Sequence, residues 1–227
     1  MINPRLERLA VRSSNLLAGL DQAATHAILA GAEIRRISAK HIITTEGEQA
    51  THLFLVQRGR VRFYHLTKHG ALVLLRWLLP GDVIGLVTML KTPFPYMATA
   101  EATSDCELFR WEHSVIRKLV FRHPLLGENG LRIALSYLRN YVERHIGLVT
   151  KTAEERLAET LLKLSDESGK LHPDGVEIIA TNDQLGALAD ISPFTASRVL
   201  SNWARAGSLS RGRGRVLLHA PEALMVD

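Results

Sequence analysis

Between residues 191 and 221 the chain carries Arg198, Arg205, Arg211, Arg213 and Arg215 and no Asp or Glu. An acid-free cluster of guanidinium groups suits a polyanion, and the evenly spaced phosphates of a nucleic acid are the natural partner. Residues 151–227 as a whole hold nine Lys and Arg against eleven Asp and Glu, so the positive charge is concentrated rather than abundant. Phe194, Thr195 and Ser197 lie just before the first of these arginines, and Asn202 lies between Arg198 and Arg205. Such side chains can contact base edges, a thymine methyl or phosphate oxygens.

These side chains need rigid elements to present them. Thr181 followed three residues later by Gln184 is a capping box that starts a helix at Asn182, with Leu185, Leu188 and Ala189 expected in a core and Gly186 and Ala187 keeping the helix slim. Asp190 and Ile191 form a turn. Ser192 then caps a second helix, whose first position is taken by Pro193, where the missing N–H is no loss. Val199, Leu200 and Trp203 recur on its buried side, which leaves Phe194, Thr195, Ser197, Arg198 and Asn202 facing outward. Two short helices with an abrupt break between them are the layout of a helix-turn-helix, the second helix reading the major groove.

Arg211-Gly-Arg-Gly-Arg215 lies between Leu209 and the apolar run Val216-Leu217-Leu218. It reads as a tight turn between two strands, a wing. A solvated hairpin tip explains the glycines equally well, but not three arginines without an acidic neighbour.

The chain has 227 residues, 46% of them hydrophobic, and a net charge of +5. That length favours two domains. No apolar run approaches the roughly eighteen residues of a membrane span, and the N-terminal Asn3, Pro4, Arg5, Glu7 and Arg8 do not make a signal peptide. A cytoplasmic protein without a membrane partner is expected. The single cysteine, Cys106, excludes an internal disulfide and any four-cysteine cluster from one chain, and is expected in a strand core.

Leu16 to Ile34 has helical periodicity. From Ile37 the pattern changes to short apolar runs, His41–Thr44, Leu53–Val56, Val61–Tyr64, Leu72–Leu79, Val83–Ile84 and Glu107–Trp111, separated by glycine-bearing turns. Strands punctuated at this spacing form a sandwich, barrel or roll. After Pro124 the period becomes helical again, and Leu131, Leu135, Leu138, Val142, His145, Val149 and Thr152 form a heptad seam along one helix. Such a seam predicts a homodimer through paired helices, with His145 as a polar register residue. Tyr137, Tyr141 and Leu148 lie on the adjacent face, available to the strand domain.

In this order the parts resemble the Crp/Fnr family of bacterial transcription regulators over nearly the whole chain. The marks are Glu46-Gly47-Glu48 with Leu53-Phe-Leu-Val56 and Gly59-Arg-Val61, then Pro80-Gly81-Asp82-Val-Ile-Gly85, Arg156-Leu-Ala-Glu-Thr-Leu-Leu162 and Thr195-Ala-Ser-Arg198-Val-Leu200. The resemblance implies an α+β chain: an N-terminal β-roll sensor of the cyclic-nucleotide-binding type (1–123), a long dimerisation helix (124–152) and a C-terminal winged helix-turn-helix (153–227). It implies double-stranded DNA with a near-palindromic operator as partner. His172-Pro-Asp-Gly175 resembles a turn that contacts RNA polymerase in the catabolite activator protein, though these residues also make a good turn on their own account.

Departures from the family pattern bear on the effector. Cyclic-AMP-binding members follow the Gly-Asp-x-Ile-Gly turn with Glu and later supply Arg-Ser, giving the ribose an acceptor and the phosphate a cation. Here Leu86 holds the Glu position and Tyr96 and Met97 the Arg-Ser positions. A degenerate effector pocket of Leu86, Tyr96, Met97 and Tyr141 is expected not to take cyclic AMP in the usual way. No cofactor is predicted. A haem-bound gas sensor stays open, since the chain has ten histidines, but no spacing selects among His41, His52, His65 and His69 as axial ligand. The reading helix departs too: Pro193-Phe194-Thr195 replaces the common Arg-Glu-Thr, and only Arg198 is kept as a guanine reader.

A β-roll module whose helix-turn-helix contacts protein is an alternative that the acid-free arginine cluster opposes. The chain shows no glycine-rich phosphate loop, no nucleophile in a recognisable setting and no metal-ligand spacing, so no enzyme is expected.

Overall fold

The computed structural model describes residues 14–70, 72–219 and 221–224. The N-terminal Asn3 to Arg8, read for a signal peptide, lies outside the described residues. The chain divides into two compact units, residues 1–139 and 140–227.

Among the described residues, the first element of the first unit is a 3-10 turn, Asn15–Leu17, followed by the helix α1, Gln22–Ala30. The periodicity read from Leu16 to Ile34 is thus not one helix. Asp21 restarts the chain as an N-cap, its side chain accepting the Ala24 N–H at 2.7 Å, and Gly31 closes the helix.

Eight strands follow: β1 Glu33–Ile37, β2 Ile42–Thr44, β3 His52–Arg58, β4 Val61–Leu66, β5 Leu72–Leu78, β6 Val83–Ile84, β7 Thr99–Ala102 and β8 Cys106–Glu112. They pair antiparallel into two four-stranded sheets, β1-β8-β3-β6 and β2-β7-β4-β5. Strand β3 shows why the residues alternate as they do. Phe54 and Val56 point into the core between the sheets with Val61, Leu78, Ala100 and Leu108. Leu53 and Leu55 point the other way, against a helical layer. Both faces are buried over Leu53 to Val56, so β3 is continuously apolar there instead of alternating. Cys106 is buried in the inter-sheet core.

That layer comprises α1, α2, His113–Arg122, and the start of α3, Pro124–Thr150. It contributes Ile28, Leu29, Ile116, Leu119, Leu126 and Ile133 to the core around Trp111 and Phe109. The Trp111 indole donates to the Ile28 carbonyl at 2.7 Å, and buried Asn129 donates to the carbonyls of Leu16 and Ala18 at 3.0 and 2.8 Å. The donor groups of both side chains thus enter this core with backbone partners.

Thr150 ends α3, two residues short of the expected boundary, because Thr152 caps the next helix: its hydroxyl accepts the Glu155 N–H at 3.2 Å. The second unit then runs α4 Ala153–Ser168, β9 Lys170–His172, β10 Gly175–Ile178, α5 Asn182–Ala189, α6 Pro193–Arg205, β11 Leu209–Gly212 and β12 Arg215–Leu218. Its sheet has the order β11-β12-β10-β9. Leu157, Leu161, Ile178, Leu185, Leu200, Trp203 and Leu218 form a separate core. Leu188, expected there, is 37% exposed.

Candidate nucleic-acid interface

The break between α5 and α6 is built by caps. Thr181 and Gln184 form the reciprocal capping box at the start of α5. Asp190 ends that helix in the left-handed region, φ 55°. At the start of α6 the Ser192 hydroxyl accepts the Thr195 N–H at 3.0 Å and lies 2.8 Å from the Thr195 hydroxyl, with Pro193 in the first turn. The turn is tight enough that a Cβ on Gly186 would stand 2.9 Å from the Ile191 carbonyl oxygen.

Ala196, Val199, Leu200 and Trp203 are the buried side of α6. On the opposite side Phe194, Ser197, Arg198, Ser201, Asn202 and Arg205 follow at three- and four-residue intervals and line one concavity of about 310 Å³. Arg198 and Asn202 are exposed, and Phe194 is 79% exposed. Arg205 donates to the Asn202 side-chain oxygen at 2.6 Å. This one face therefore offers guanidinium donors, an amide, hydroxyls and an aromatic ring, the groups that read a base-pair edge.

The wing turns between β11 and β12, with Gly214 at φ 69°. A second concavity, about 300 Å³, separates it from the start of α5 and is lined by Thr181, Asn182, Asp183 and residues 211–216. The three wing arginines differ in their surroundings. Arg211 folds back on α6, donating to the Ser197 carbonyl at 3.2 Å, to the hydroxyls of Ser197 and Ser201, and to the Asn182 side chain at 3.4 Å. Arg215 pairs with Glu177 of β10 at 3.4 Å, which corrects the expectation of no acidic neighbour. Glu177 lies 38 residues away in sequence, and only the sheet register brings it near. Arg213 is exposed at the tip.

In the first unit, the residues expected to line an effector pocket are differently engaged. Leu86 sits in a 3-10 turn and packs on the helical layer. Gly85 before it has φ 78°, and a Cβ there would stand 2.4 Å from the His52 carbonyl oxygen, so glycine is required. The Tyr96 hydroxyl accepts the His52 N–H at 3.1 Å and donates to the His52 carbonyl at 3.0 Å. Tyr96 is buried, whereas Met97 beside it is 69% exposed. Tyr141, 55% exposed, belongs to the second unit.

A cluster that the sequence reading missed links β5, the β5–β6 turn and α3. Arg76 donates to Asp82 at 3.1 Å and lies over the Tyr137 ring, 3.8 Å from its centroid. The Tyr137 hydroxyl donates to Asp82 and accepts the Val83 N–H, both at 3.3 Å. Burial, reinforced by the Asp82 carboxylate, pushes the Tyr137 phenol up to about 12. On the neighbouring strands Arg62 pairs with Glu101 at 2.7 Å, and Arg60 lies over Trp77. All three side chains are thus engaged within the protein, while the buried Nε of Arg62 and that of Arg76 have no hydrogen-bond partner among the described residues.

Among the histidines considered as haem ligands, His65 is paired with Glu46 at 2.7 Å. His52 lies 2.8 Å from the Thr51 hydroxyl and is pushed below the usual imidazole range by burial and then by Arg110. His41 lies 3.3 Å from the Ala39 carbonyl oxygen, and His69 is exposed. Among the described residues no group of three or more His, Cys, Asp or Glu could hold a metal ion, and no helix is long and apolar enough to cross a membrane.

A β-roll, a long helix and a winged helix-turn-helix define a DNA-binding regulator. The cyclic nucleotide-binding domain model matches residues 34–123, and the Crp-like helix-turn-helix domain model matches residues 155–226. The chain belongs to the Crp/Fnr family of transcription regulators. It is 24% identical over 223 residues to the anaerobic regulatory protein of Bacillus subtilis, covering 96% of this chain and 93% of that one. To the cAMP-activated global transcriptional regulator CRP of Escherichia coli it is 25% identical over 176 residues, 76% of this chain and 82% of that one. The fold matches the c-di-GMP responsive global regulator CLP of Xanthomonas campestris with a TM-score of 0.78 at 20% identity, covering 88% of this chain and all of that one.

Proposed function

We propose that this Crp/Fnr-type regulator binds a near-palindromic operator as a homodimer and does so without cyclic AMP bound through the family's usual contacts. The observation that carries the DNA reading is the single outward face of α6, where Phe194, Ser197, Arg198, Asn202 and Arg205 lie together beside an arginine-bearing wing. Arg198 is the proposed base reader, through the O6 and N7 acceptors of guanine. Thr181, Ser192, Thr195 and Ser197 stand at or near the two helix starts, where backbone N–H groups and hydroxyls suit phosphate, and Pro193, which has no N–H to give, fixes the first turn beside them. Arg213 and, more loosely, Arg211 and Arg215 supply the wing's charge.

The dimer reading is supported by exposure along the seam: Leu131, Leu135, Leu138, Val142 and Val149 are 60, 55, 59, 50 and 74% exposed. An apolar stripe of this length stays in water only at a cost that a twin helix removes. His145 lies on the same stripe, exposed. The three-part division at 123 and 152 is proposed as a functional one: sensor, pairing helix, reader.

The test is selection of duplexes from a randomised pool, followed by filter binding of the best duplex and of random DNA over a salt series. A steep salt slope on both, with tighter binding to the selected duplex, is expected. A shallow slope on both would favour the protein-contact alternative.

A further inference from the structure

The second unit contains an ion pair that groove contacts do not explain. Asp190 ends α5 with φ 55° and ψ 45°, the left-handed region, where glycine fits most freely and Asp and Asn are the best tolerated of the other residues. The chain places a carboxylate there. Arg144, two turns before the end of α3, addresses it with both prongs of its fork, Nε to Oδ2 and Nη2 to Oδ1. The two side chains are only 28 and 20% exposed, so water and salt screen the pair weakly. A bidentate fork also fixes direction, which a single-point contact does not.

The same turn is held a second time from another helix. Arg156 of α4 donates to the carbonyls of Ala189 at 3.0 Å and Asp190 at 3.4 Å, and its third nitrogen donates to the Lys151 carbonyl at 2.7 Å, at the junction of α3 and α4. Asp190 stands two residues before Ser192, the cap of α6, and the Ile191 N–H is bonded back to the Gly186 carbonyl at 2.9 Å. Between the α3 segment and the first turn of α6 there is no slack: a displacement at Arg144 reaches the reading helix through one residue.

We propose that Arg144 is a positioning residue, whose fork on Asp190 locks the helix-turn-helix turn to the last turns of α3, so that α6 takes its direction from the pairing helix. This rests on the dimeric-regulator reading above. In a dimer locked this way the two reading helices are held at one separation, and the protein discriminates the distance between half-sites as well as their sequence. One inserted base pair moves a half-site by about 3.4 Å along the duplex and about 35° around it. A rigid pair of readers is sensitive to that step, and a pair on loose turns is not.

The test uses the full chain with Arg144→Met, Arg144→Lys and Asp190→Asn, assayed on the selected duplex, on the same duplex with one or two base pairs inserted between half-sites, on a single half-site and on random DNA. Asp190→Asn keeps a residue that tolerates the left-handed region and leaves the Arg156 bonds to backbone carbonyls intact, so it removes the carboxylate alone. Wild type is expected to prefer the original spacing. Arg144→Met and Asp190→Asn should reduce that preference by about five-fold or more, with half-site affinity within about two-fold of wild type. Arg144→Lys, which keeps the charge but not the fork, should fall between. Spacing preference unchanged in Asp190→Asn and Arg144→Met overturns the lock alone. Equal weakening on every duplex together with a lowered melting temperature would also overturn it, showing that the pair merely holds the domain together. A wild type indifferent to spacing and sequence would overturn the dimeric reading and the lock with it.

Discussion

Arg211 of the wing donates to the main-chain carbonyl of Ser197 on α6, at 3.2 Å. The wing is therefore tied to the reading helix by the same residue type that gives it charge, and its arginines have separable roles. Arg211→Ala is expected to lower the stability of the helix-turn-helix unit by about 1 kcal/mol, since it removes charge-assisted bonds that remain partly in water. Arg213→Ala should leave stability unchanged, weaken selected and random duplexes alike, and flatten the salt slope by about one phosphate contact. Thermal unfolding and a salt series on both variants check this, and two indistinguishable variants would refute it.

Arg198→Ala is expected to cost about 1–3 kcal/mol on the selected duplex and far less on random DNA. Binding to both, measured side by side, decides the matter. An equal loss would make Arg198 a phosphate contact.

Leu138→Glu with Val142→Glu places four like charges where the two seams are proposed to meet, and should yield a monomer in sedimentation while each unit keeps its core. A double variant that sediments as the dimer would put the interface elsewhere.

Cyclic AMP is expected neither to bind in calorimetry nor to raise operator affinity, because a ligand without differential affinity cannot shift a conformational balance. Leu86 offers no acceptor to a ribose, and Arg60, Arg62 and Arg76 are engaged with Trp77, Glu101 and Asp82. Saturable binding would mean that one of these pairs opens for the phosphate.

Tyr137 sets a pH dependence. Its phenol titrates near 12 in the folded protein and near 10 when unfolded, so the folded pKa is raised. The stabilisation attached to the neutral phenol, on the order of 3 kcal/mol, is complete below about pH 10 and is lost as pH rises to about 12. Unfolding free energies of wild type and Tyr137→Phe should therefore converge by that amount across the window. Parallel loss in both proteins would show that other groups carry the alkaline transition.

Local signals in the sequence announce the helix-turn-helix because its boundaries are made locally. Thr181 with Gln184, and Ser192 before Pro193, are caps that act within three residues. The seam on α3 is likewise a repeat within one element. What escaped notice depends on distance along the chain. Strand β1, Glu-Ile-Arg-Arg-Ile, has no alternation, and its place is set by β8, with Glu33 opposite Arg110. Asp190 meets Arg144 across 46 residues, and Tyr137 meets Asp82 across 55. Such partners leave no period to read, and a left-handed Asp in a turn has the same letters whether or not an arginine waits for it. Leu188 misled in the opposite sense: its spacing fits the core face, yet it is 37% exposed while Ala189 beside it is buried, so it lies at the edge of that face.

The order β1-β8-β3-β6 also governs how the protein emerges from a ribosome. Both β1 and β3 hydrogen-bond to β8, the last strand of the roll to be made, so this sheet has no centre until residue 112 has left the exit tunnel. At roughly 5–20 residues per second, β3 waits about three to eleven seconds after its own synthesis. Until then the only sheet neighbour that β3 can gain is the two-residue β6, opposite Phe54 and Leu55, so the edge of Leu53 to Val56 that β8 will cover stays open. The nascent chain is thus most vulnerable to sticking to its neighbours midway through synthesis of the first unit, before any part of the DNA reader exists.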